Sequence, residues 1–250
     1  MDFELSERSA VVTGASGALG GAIAAALADE GAYVLGVGRN RERLERLEAH
    51  PSGRVKTLCC DVRDHEALAR IPGEAARRLG SLDIIVNNAG VIARGPFHEQ
   101  AQSVWDEHLA VNLTAAVVLT RAAAPDLLRR RSGKVINLVS SAALRAPLEL
   151  AAYAASKAAL LQFTRCLAVE WADHGVQVNA IAPGGFESDL QPPELQVPGA
   201  ALDARLRRIP DRRFGVPHEV APIACFLASP LSAHVTGAVY VIDGGETVRL

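Results

Sequence analysis

Short apolar runs alternate along the chain with longer segments in which apolar residues recur at helical spacing. Several of the short runs contain only apolar residues, which is typical of strands buried on both faces of a parallel sheet. The runs predict seven strands, at residues 10–13, 33–37, 55–60, 84–87, 135–139, 177–182 and 239–242. The segments between them predict helices at residues 18–30, 41–48, 65–79, 104–131, 152–174 and 218–228.

Repeated alternation of strand and helix predicts a doubly wound α/β fold, with a mostly parallel seven-stranded sheet and helices on both faces. No internal repeat or domain-splitting linker interrupts the pattern, so residues 1–250 are expected to form a single domain. One segment, residues 187–213, is irregular and holds four prolines. A loop of this length in a compact domain is usually a functional lid or partly helical, and we interpret it as a lid over the substrate.

Composition narrows the classes of function. Of 250 residues, 49% are hydrophobic, and the net charge of −2 comes without long runs of like charge. Neither nucleic acid nor a membrane is therefore an expected partner, and no run approaches the ~18 apolar residues of a membrane-spanning helix. The four cysteines form no Cys-x-x-Cys pair, and no histidine spacing indicates a metal. A reduced, cytoplasmic location is the expectation.

Tyr153 and Lys157 are four residues apart, in a chain with three tyrosines and three lysines. Residues i and i+4 share one face of a helix, so the ammonium can lie beside the phenol. A neighbouring cation lowers the pKa of a phenol from its usual value of about 10, and a general acid works best when its pKa approaches the working pH. The pair is a candidate proton-transfer device; an exposed helix that carries both residues by coincidence is the alternative.

A glycine-rich turn follows the first predicted strand, where residues 13–20 read Thr-Gly-Ala-Ser-Gly-Ala-Leu-Gly. Glycines let backbone N–H groups approach a pyrophosphate, and the N-terminus of the helix that follows adds partial positive charge. The second strand ends without an acid for an adenosine ribose, whereas Arg39 and Arg41 can accommodate a 2′-phosphate. This favours NADP(H) over NAD(H), with Arg39 the nearer candidate; two arginines that simply face solvent are the alternative.

Further motifs, taken in chain order, resemble those of the short-chain dehydrogenase/reductase family over nearly the whole sequence. Residues 87–90 read Asn-Asn-Ala-Gly, Asp61-Val62 follows the third strand, Ser140 precedes Tyr153 by 13 residues, and Pro183-Gly184 follows the sixth strand. The family's Thr-Gly-x-x-x-Gly-x-Gly has its middle glycine where this chain has Ala18, with Gly17 beside it.

The resemblance implies a Rossmann fold and hydride transfer between a nicotinamide ring and a carbonyl or alcohol carbon. It implies the catalytic residues Asn112, Ser140, Tyr153 and Lys157. It implies a cofactor site formed by Gly14, Ser16, Gly17, Leu19, Gly20, Arg39, Asp61, Val62, Asn88, Ala89, Gly90, Tyr153, Lys157, Pro183, Gly184 and Ser188.

In the mechanism that the resemblance implies, Ser140 hydrogen-bonds the substrate oxygen and Tyr153 protonates it. Lys157 keeps Tyr153 acidic and binds the nicotinamide ribose, while Asn112 holds a water that links Lys157 to solvent. Developing charge on the substrate oxygen is what such preorganised donors stabilise.

Several residues of these motifs have a plainer explanation. Asn87 and Asn88 can merely cap a turn, Asn112 can be a buried polar residue that kinks a helix, and Ser141 can replace Ser140 as the relevant hydroxyl. Five scattered histidines are interpreted as surface or structural residues: His98, His108, His174, His218 and His234.

Local resemblances in residues 88–97, 183–186 and 208–215 point to family members that act on sugar acids or polyols, such as those that oxidise gluconate at C5 or act on keto-deoxy sugar acids. Arg94 and Arg145 are candidates for binding a substrate carboxylate, although either can equally be a surface arginine. A 3-oxoacyl-thioester (acyl-carrier-protein) reductase is the alternative enzyme, and a non-catalytic NADP-binding protein is the alternative from another class. The family implies a homotetramer.

Overall fold

The computed structural model describes residues 2–188 and 190–249. The strands are β1 Ser9–Thr13, β2 Tyr33–Gly38, β3 Val55–Cys59, β4 Ile84–Asn87, β5 Gly133–Leu138, β6 Val176–Pro183 and β7 Val239–Ile242. They form one sheet in the order β3-β2-β1-β4-β5-β6-β7, and every hydrogen-bonded pair of strands is parallel. The predicted doubly wound sheet is confirmed.

The described residues form eight α-helices around the sheet. They are α1 Ala18–Asp29, α2 Arg41–Glu48, α3 His65–Leu79, α4 Gln102–Leu109, α5 Ala115–Arg130, α6 Ala151–Trp171, α7 Ala200–Leu206 and α8 Ala221–Ala228. The predicted helix at 104–131 is in fact two α-helices, α4 and α5, joined by a π-helical turn at Ala110–Thr114. The predicted helices at 152–174 and 218–228 are shorter, because a 3₁₀ turn ends the first and another precedes the second.

Helices cover both faces of the sheet because the side chains of a strand point alternately to either side. On one face, Val12 of β1 belongs to the same apolar cluster as Ile23 of α1 and Leu227 of α8. On the other face, Val11 belongs to a cluster with Leu119 of α5, to which α3 and α6 also contribute. The apolar strands are therefore buried on both sides, as their composition predicts.

The strand order reverses between β1 and β4, which are neighbours in the sheet although β2 and β3 separate them in sequence. In open α/β sheets such a reversal leaves a crevice outside the carboxyl ends of the strands, because the connections on its two sides run in opposite directions. The glycine-rich turn follows β1, and the Asn-Asn-Ala-Gly motif begins at the end of β4. The topology thus brings these two motifs to the same crevice.

The irregular segment 187–213 is partly helical, with a 3₁₀ turn at Pro193–Leu195 as well as α7. Within this segment, Asp189 lies outside the described residues. Its two ends are held together, since Phe186 and Gly215 form an isolated parallel bridge and the Glu187 N–H donates to the Gly215 carbonyl oxygen at 2.9 Å. The segment therefore leaves and rejoins the fold at one point.

One helical stretch of the described chain, Gln102–Arg130, is long and apolar enough to cross a membrane by length and composition alone. Half of its most apolar window is buried inside the fold. Its α5 part packs against α3 in the core, and a buried core helix passes the same test of length and composition.

Candidate active site

A cavity of about 990 Å³ opens where the loops after the strands meet. Every residue predicted for the cofactor site lines it, from the glycine-rich turn to Ser188. Of the four predicted catalytic residues, Ser140, Tyr153 and Lys157 also line the cavity, whereas the buried Asn112 lies behind its wall. Motifs spread over most of the chain are therefore gathered at one place.

The glycine-rich turn fits closely against the Asn-Asn-Ala-Gly motif. A Cβ atom on Gly20 would lie 2.4 Å from both Asn88 Nδ2 and the Gly14 carbonyl oxygen, which excludes any side chain there. Asn88 Nδ2 donates to the Thr13 carbonyl oxygen at 2.9 Å, and the Thr13 hydroxyl accepts from the Asn88 N–H at 3.0 Å. The Asn88 side chain thus braces the turn from across the crevice.

The start of α1 presents backbone donors to the cavity. Its N-cap is Gly17, which provides no side-chain hydrogen bond, and the first turn contains no acidic residue. The N–H groups of this turn therefore have no side-chain acceptor, and the helix dipole adds partial positive charge at the same end. This part of the cavity fits the pyrophosphate of a dinucleotide, which binds helix N-termini through such groups.

Arginines surround the end of the cavity next to β2. Arg39 and Arg43 line it and Arg41 does not, so of the two predicted candidates only Arg39 is in position to contact a ligand. Arg43 Nη1 lies 3.4 Å from the Ser16 carbonyl oxygen, and the Arg43 N–H donates to the capping side chain of Asn40 at 3.0 Å. Sequence reasoning missed Arg43. The signal that could have found it is Asn40, because an N-cap at Asn40 places Arg43 in the first turn of α2.

Asp61, one of the residues predicted for the cofactor site, is bound by Arg63. Arg63 Nη2 lies 2.6 Å from Asp61 Oδ2 and Arg63 Nε lies 3.1 Å from Oδ1, while Arg39 Nη1 is 3.9 Å from Oδ2. The hydrogen bonds from Arg63 hold the pKa of Asp61 below its ordinary value, although partial burial opposes them. The carboxylate is therefore ionised, and Arg63 offsets its charge.

Ser140 and Tyr153 both line the cavity, and Ser140 lies close enough to the Tyr153 phenol to influence its pKa. Ser140 is the buried N-cap of the 3₁₀ turn Ser141–Ala143, and its Oγ accepts from the Ala142 N–H at 3.1 Å. Ser141 also lines the cavity, but the serine that acts on the pKa of the phenol is Ser140. Burial raises the pKa of Tyr153, and Ser140 and the charge of Arg94 act in the opposite direction.

Lys157 lies on α6 with Tyr153, as their spacing predicts, and only 3% of it is exposed. Its Nζ donates to the Leu138 carbonyl oxygen at 2.7 Å. Burial lowers the pKa of Lys157 to about 8. The effect of Lys157 on the pKa of Tyr153 remains a prediction; in this structure the net shift of the Tyr153 pKa is upward, and the cation whose charge opposes it is Arg94.

Asn112 lies in the π-helical turn between α4 and α5. Its Oδ1 accepts from the Val91 N–H at 2.8 Å, and its Nδ2 donates to the Val91 carbonyl oxygen and to Ser156 Oγ, each at 3.0 Å. A Cβ atom on Gly90 would lie 3.4 Å from Asn112 Oδ1 and 3.5 Å from Lys157 Nζ. Asn112 therefore fastens the segment after β4 to α6, next to the lysine.

His108, interpreted from the sequence as a surface or structural residue, is a buried residue beside Tyr153. It is 1% exposed, and its ring packs edge-to-face against Tyr153 with centroids 6.4 Å apart. His108 Nδ1 lies 2.6 Å from the Val104 carbonyl oxygen, and Nε2 lies 3.1 Å from the Ala93 N–H. Both bonds require the neutral ring with its proton on Nδ1. No sequence pattern predicts the hydrogen bond between His108 and the Val104 carbonyl oxygen. The contribution of His108 to the site is therefore seen only in the tertiary structure, where the residue is buried.

Arg94 and Arg145, the two candidates for binding a substrate carboxylate, both line the cavity but differ in their partners. Arg145 Nη2 lies 2.7 Å from Glu246 Oε1, and Arg205 of α7 binds the same carboxylate. No residue within 2–188 and 190–249 forms an ion pair with Arg94. Sequence reasoning missed Glu246 and Arg205, which are far from Arg145 in the chain.

The end of β6 forms the opposite wall of the cavity. The Gly184 N–H donates to the Ile242 carbonyl oxygen at 2.8 Å, and a Cβ atom on Gly184 would lie 2.6 Å from Asp243 Cβ. The turn Pro183-Gly184 is thereby packed against the end of β7, and Ser188 lines the cavity a few residues further on.

Within the described part of the chain, no group of three or more His, Cys, Asp or Glu side chains could hold a metal ion. Cys60 lines the cavity, and burial together with Asp64 and Asp61 raises the pKa of its thiol. A thiol shifted in that direction is a poor nucleophile, so Cys60 contributes to the wall and not to the chemistry.

Comparison with known proteins gives matches over the full chain. A family model described as enoyl-(acyl carrier protein) reductase matches residues 14–247. D-threitol dehydrogenase of Mycolicibacterium smegmatis is 37% identical over 99% of this chain and 96% of its own. Gluconate 5-dehydrogenase of Gluconobacter oxydans is 36% identical over 99% of this chain and 98% of its own.

A solved structure from Beutenbergia cavernae, described as an NAD(P)-dependent gluconate 5-dehydrogenase with bound NADP, has a TM-score of 0.92 at 37% identity and covers 100% of both chains. The sheet, the cavity and these matches define a Rossmann-fold oxidoreductase that acts on CH–OH groups with a nicotinamide cofactor. The chain belongs to the short-chain dehydrogenase/reductase family.

Proposed function

We propose that this protein is an NADP(H)-dependent oxidoreductase that interconverts a carbonyl group and a secondary alcohol of a sugar acid, a polyol or a small ketone. The observation that carries the proposal is that Ser140 and Tyr153 lie together in the cavity that the glycine-rich turn also lines. A protein that only binds a dinucleotide has no use for a phenol placed beside a hydroxyl in this way. The named activities of the relatives, on D-threitol and on gluconate, support the substrate class.

Tyr153 donates a proton to the substrate oxygen during reduction and accepts it during oxidation. Ser140 donates a hydrogen bond to the same oxygen as negative charge develops on it, and the Ala142 N–H that binds Ser140 Oγ holds the hydroxyl in place. The nicotinamide cofactor supplies or accepts the hydride when it is bound.

Lys157 and Asn112 act behind the phenol. Lys157 binds the nicotinamide ribose through an ammonium that the Leu138 carbonyl oxygen already orients. Asn112 holds the segment after β4 against α6 through Val91 and Ser156. The family resemblance further implies a water beside Asn112 that connects Lys157 to solvent. Gly90 leaves space beside Asn112 Oδ1 and Lys157 Nζ, because a Cβ atom at this position would contact both.

The choice of NADP(H) over NAD(H) rests on Arg39 and Arg43. Both line the cavity at the end of β2, where an acid would favour NAD(H). Arg39→Gln is expected to raise the KM for NADP by roughly 10- to 100-fold and to leave the KM for NAD nearly unchanged. Arg41→Gln is the matched control, because Arg41 is exposed and does not line the cavity. Equal effects of the Arg39 substitution on both cofactors would contradict the preference.

The decisive experiment measures NADPH and NADH oxidation with a panel of keto sugar acids, diketones and acetoacetyl thioesters, together with the reverse reaction on gluconate and D-threitol. The Tyr153→Phe variant should bind NADPH as the wild type does and lose at least about 100-fold in turnover. Near wild-type turnover in that variant would refute the role of the phenol. Tight cofactor binding without turnover on any substrate would instead indicate a non-catalytic NADP-binding protein.

A 3-oxoacyl-thioester reductase is the second candidate, because the matching family model is described in terms of an acyl carrier protein. The exposed Arg207, Arg208 and Arg249 at the rim of the cavity would suit an acidic carrier. Acetoacetyl thioesters in the panel distinguish the two candidates, since a carrier reductase should turn them over faster than sugar acids or polyols.

A cytoplasmic homotetramer with residues 187–213 as its lid completes the proposal. Val169 of α6 and Val241 of β7 are 81% and 42% exposed, and apolar side chains on these elements suit contacts between copies. Light scattering tests the assembly, and a monomer at micromolar concentration would contradict it.

A further inference from the structure

A buried carboxylate joins the segment 187–213 to the loop after β5. Glu246, in the C-terminal segment, has a side chain that is 2% exposed. Arg145 Nη2 lies 2.7 Å from Glu246 Oε1. Arg205 of α7 binds both oxygens of the carboxylate, through Nη1 at 2.7 Å and Nη2 at 3.0 Å. These three residues are called the Glu246 clamp below.

The position of Glu246 is fixed by its own backbone. Asp243 accepts hydrogen bonds from the Gly245 N–H at 2.9 Å and from the Thr247 N–H at 2.7 Å, which close a turn around Glu246. Gly244 and Gly245 have φ of +62° and +87°, a conformation that glycine adopts without strain. The carboxylate is thus built into a tight turn and does not reach the arginines by chance.

The two arginines of the Glu246 clamp differ in how many N–H donors they keep for a ligand. Both terminal nitrogens of Arg205 bind the carboxylate, its guanidinium lies 5.8 Å from the centre of the Phe214 ring, and its side chain is 17% exposed. Arg145 is 35% exposed and contacts Glu246 through Nη2. Because a guanidinium has five N–H donors, Arg145 keeps several of them for a ligand in the cavity that it lines.

The balance of charge in this part of the cavity is positive. Two guanidinium groups share one carboxylate, which leaves one positive charge on the Glu246 clamp. Arg94, Arg207, Arg208 and Arg249 also line the cavity. Among the described residues of its wall, the acids are Glu246 and Asp61, and Asp61 is bound by Arg63 at the adenosine end. A ligand with an anionic group is therefore favoured at the end away from Asp61.

We propose that the Glu246 clamp is a subsite for the carboxylate of a sugar-acid substrate. Arg145 binds the carboxylate, and Glu246 is a positioning residue that holds the Arg145 guanidinium against the cavity wall and ties it, through Arg205, to the lid. This rests on the proposed function, since it names the substrate class of the same site. Arg94 has a different role: its charge acts on Tyr153, so it affects every substrate and not only acids.

The test compares gluconate, which carries a carboxylate, with D-threitol, a neutral polyol, in NADP reduction. Arg145→Gln should raise the KM for gluconate by roughly 10- to 100-fold and change the KM for D-threitol by less than about twofold. Arg77→Gln is the matched control, because Arg77 forms an exposed ion pair with Glu74 on α3, away from the cavity. Arg94→Gln should lower turnover of both substrates.

Glu246→Gln tests the positioning role. If Glu246 orients Arg145, this variant also raises the KM for gluconate and leaves D-threitol nearly unaffected. A lower KM for gluconate would show that Glu246 competes with the substrate, and would overturn that role. Arg145→Gln affects a more exposed side chain, so it keeps the subsite testable if Glu246→Gln does not fold.

Binding is also measured without turnover, by calorimetry of gluconate and D-threitol with the NADP-loaded Tyr153→Phe variant, with and without Arg145→Gln. Loss of gluconate binding alone supports the subsite. Equal effects on both ligands, or gluconate binding that does not depend on Arg145, overturn it. If the wild type turns over neither these compounds nor any other member of the panel, the proposed function fails, while calorimetry still reports on the carboxylate subsite.

Discussion

Replacement of Lys157 by methionine should remove a specific pH dependence from the stability of the protein. Lys157 is buried, and burial lowers its pKa from 10.5 to about 8. Between these two values the unfolded chain holds the proton and the native protein does not. The unfolded state then binds more protons, so the free energy of unfolding rises with pH across this window. Methionine has a side chain of similar length and does not titrate.

The magnitude follows from the shift. A displacement from 10.5 to about 8 corresponds to roughly 3 kcal/mol by which the buried charge weakens folding at neutral pH. Of this, about 2 kcal/mol should be recovered between pH 7 and pH 9.5, because the native lysine loses its proton over that interval while the unfolded one largely keeps it. Loss of the hydrogen bond to the Leu138 carbonyl oxygen lowers the stability of the variant at every pH and leaves the slope unchanged.

The assay is urea unfolding followed by circular dichroism at several pH values from 7 to 9.5, without cofactor and at one protein concentration. The stability of the wild type relative to Lys157→Met should rise by about 2 kcal/mol over this range. Lys134, whose pKa burial also lowers to about 8, is present in both proteins, so its contribution cancels. Lys56→Met is the control, because that side chain is 56% exposed. Parallel pH profiles for wild type and Lys157→Met would refute the reasoning.

Three further substitutions test other parts of the site. Gly20→Ala places a Cβ atom 2.4 Å from Asn88 Nδ2. Fluorescence titration should show NADP binding weakened at least roughly tenfold. Gly73→Ala on α3 is the control and should not weaken binding, because a Cβ atom there meets open space. Asn112→Ala leaves the Val91 N–H and carbonyl groups without their partner and should lower the free energy of unfolding by about 3 kcal/mol in urea; a loss under about 1 kcal/mol would contradict the bracing role. His108→Leu should reduce kcat while NADPH binding is retained, and unchanged kcat would show that Tyr153 needs no support from that ring.

The parts of the fold and site that could be predicted are those that depend on residues close together in the sequence. The strands were found because each one is a short apolar run that is buried on both faces, and Tyr153 and Lys157 were paired because four residues make one turn of α6. The predicted single helix at 104–131 is interrupted at Ala110–Thr114, where Asn112 bonds the backbone of Val91. Its periodicity is helical throughout, so nothing in the local sequence distinguishes the π-helical turn from its neighbours.

The segment 187–213 is a second case in which local sequence does not predict the structure. Its prolines obscure the short helix α7, whose Arg205 is held by Glu246, 41 residues further along the chain. Arg43 was missed, and the position of His108 beside Tyr153 was not predicted, for a related reason: Ser16 and Tyr153 come close to these residues only after the strands pair.

By itself, the sequence determined the alternation of strands and helices, the class of chemistry and the residues able to perform it, because these depend on residue type and short spacings. Only the tertiary structure decided that Arg94 and Ser140 act on Tyr153, that Arg39 and not Arg41 reaches the cavity, and that Arg145 is held by Glu246. Burial and contacts between distant segments set these outcomes, and both arise when the elements pack together.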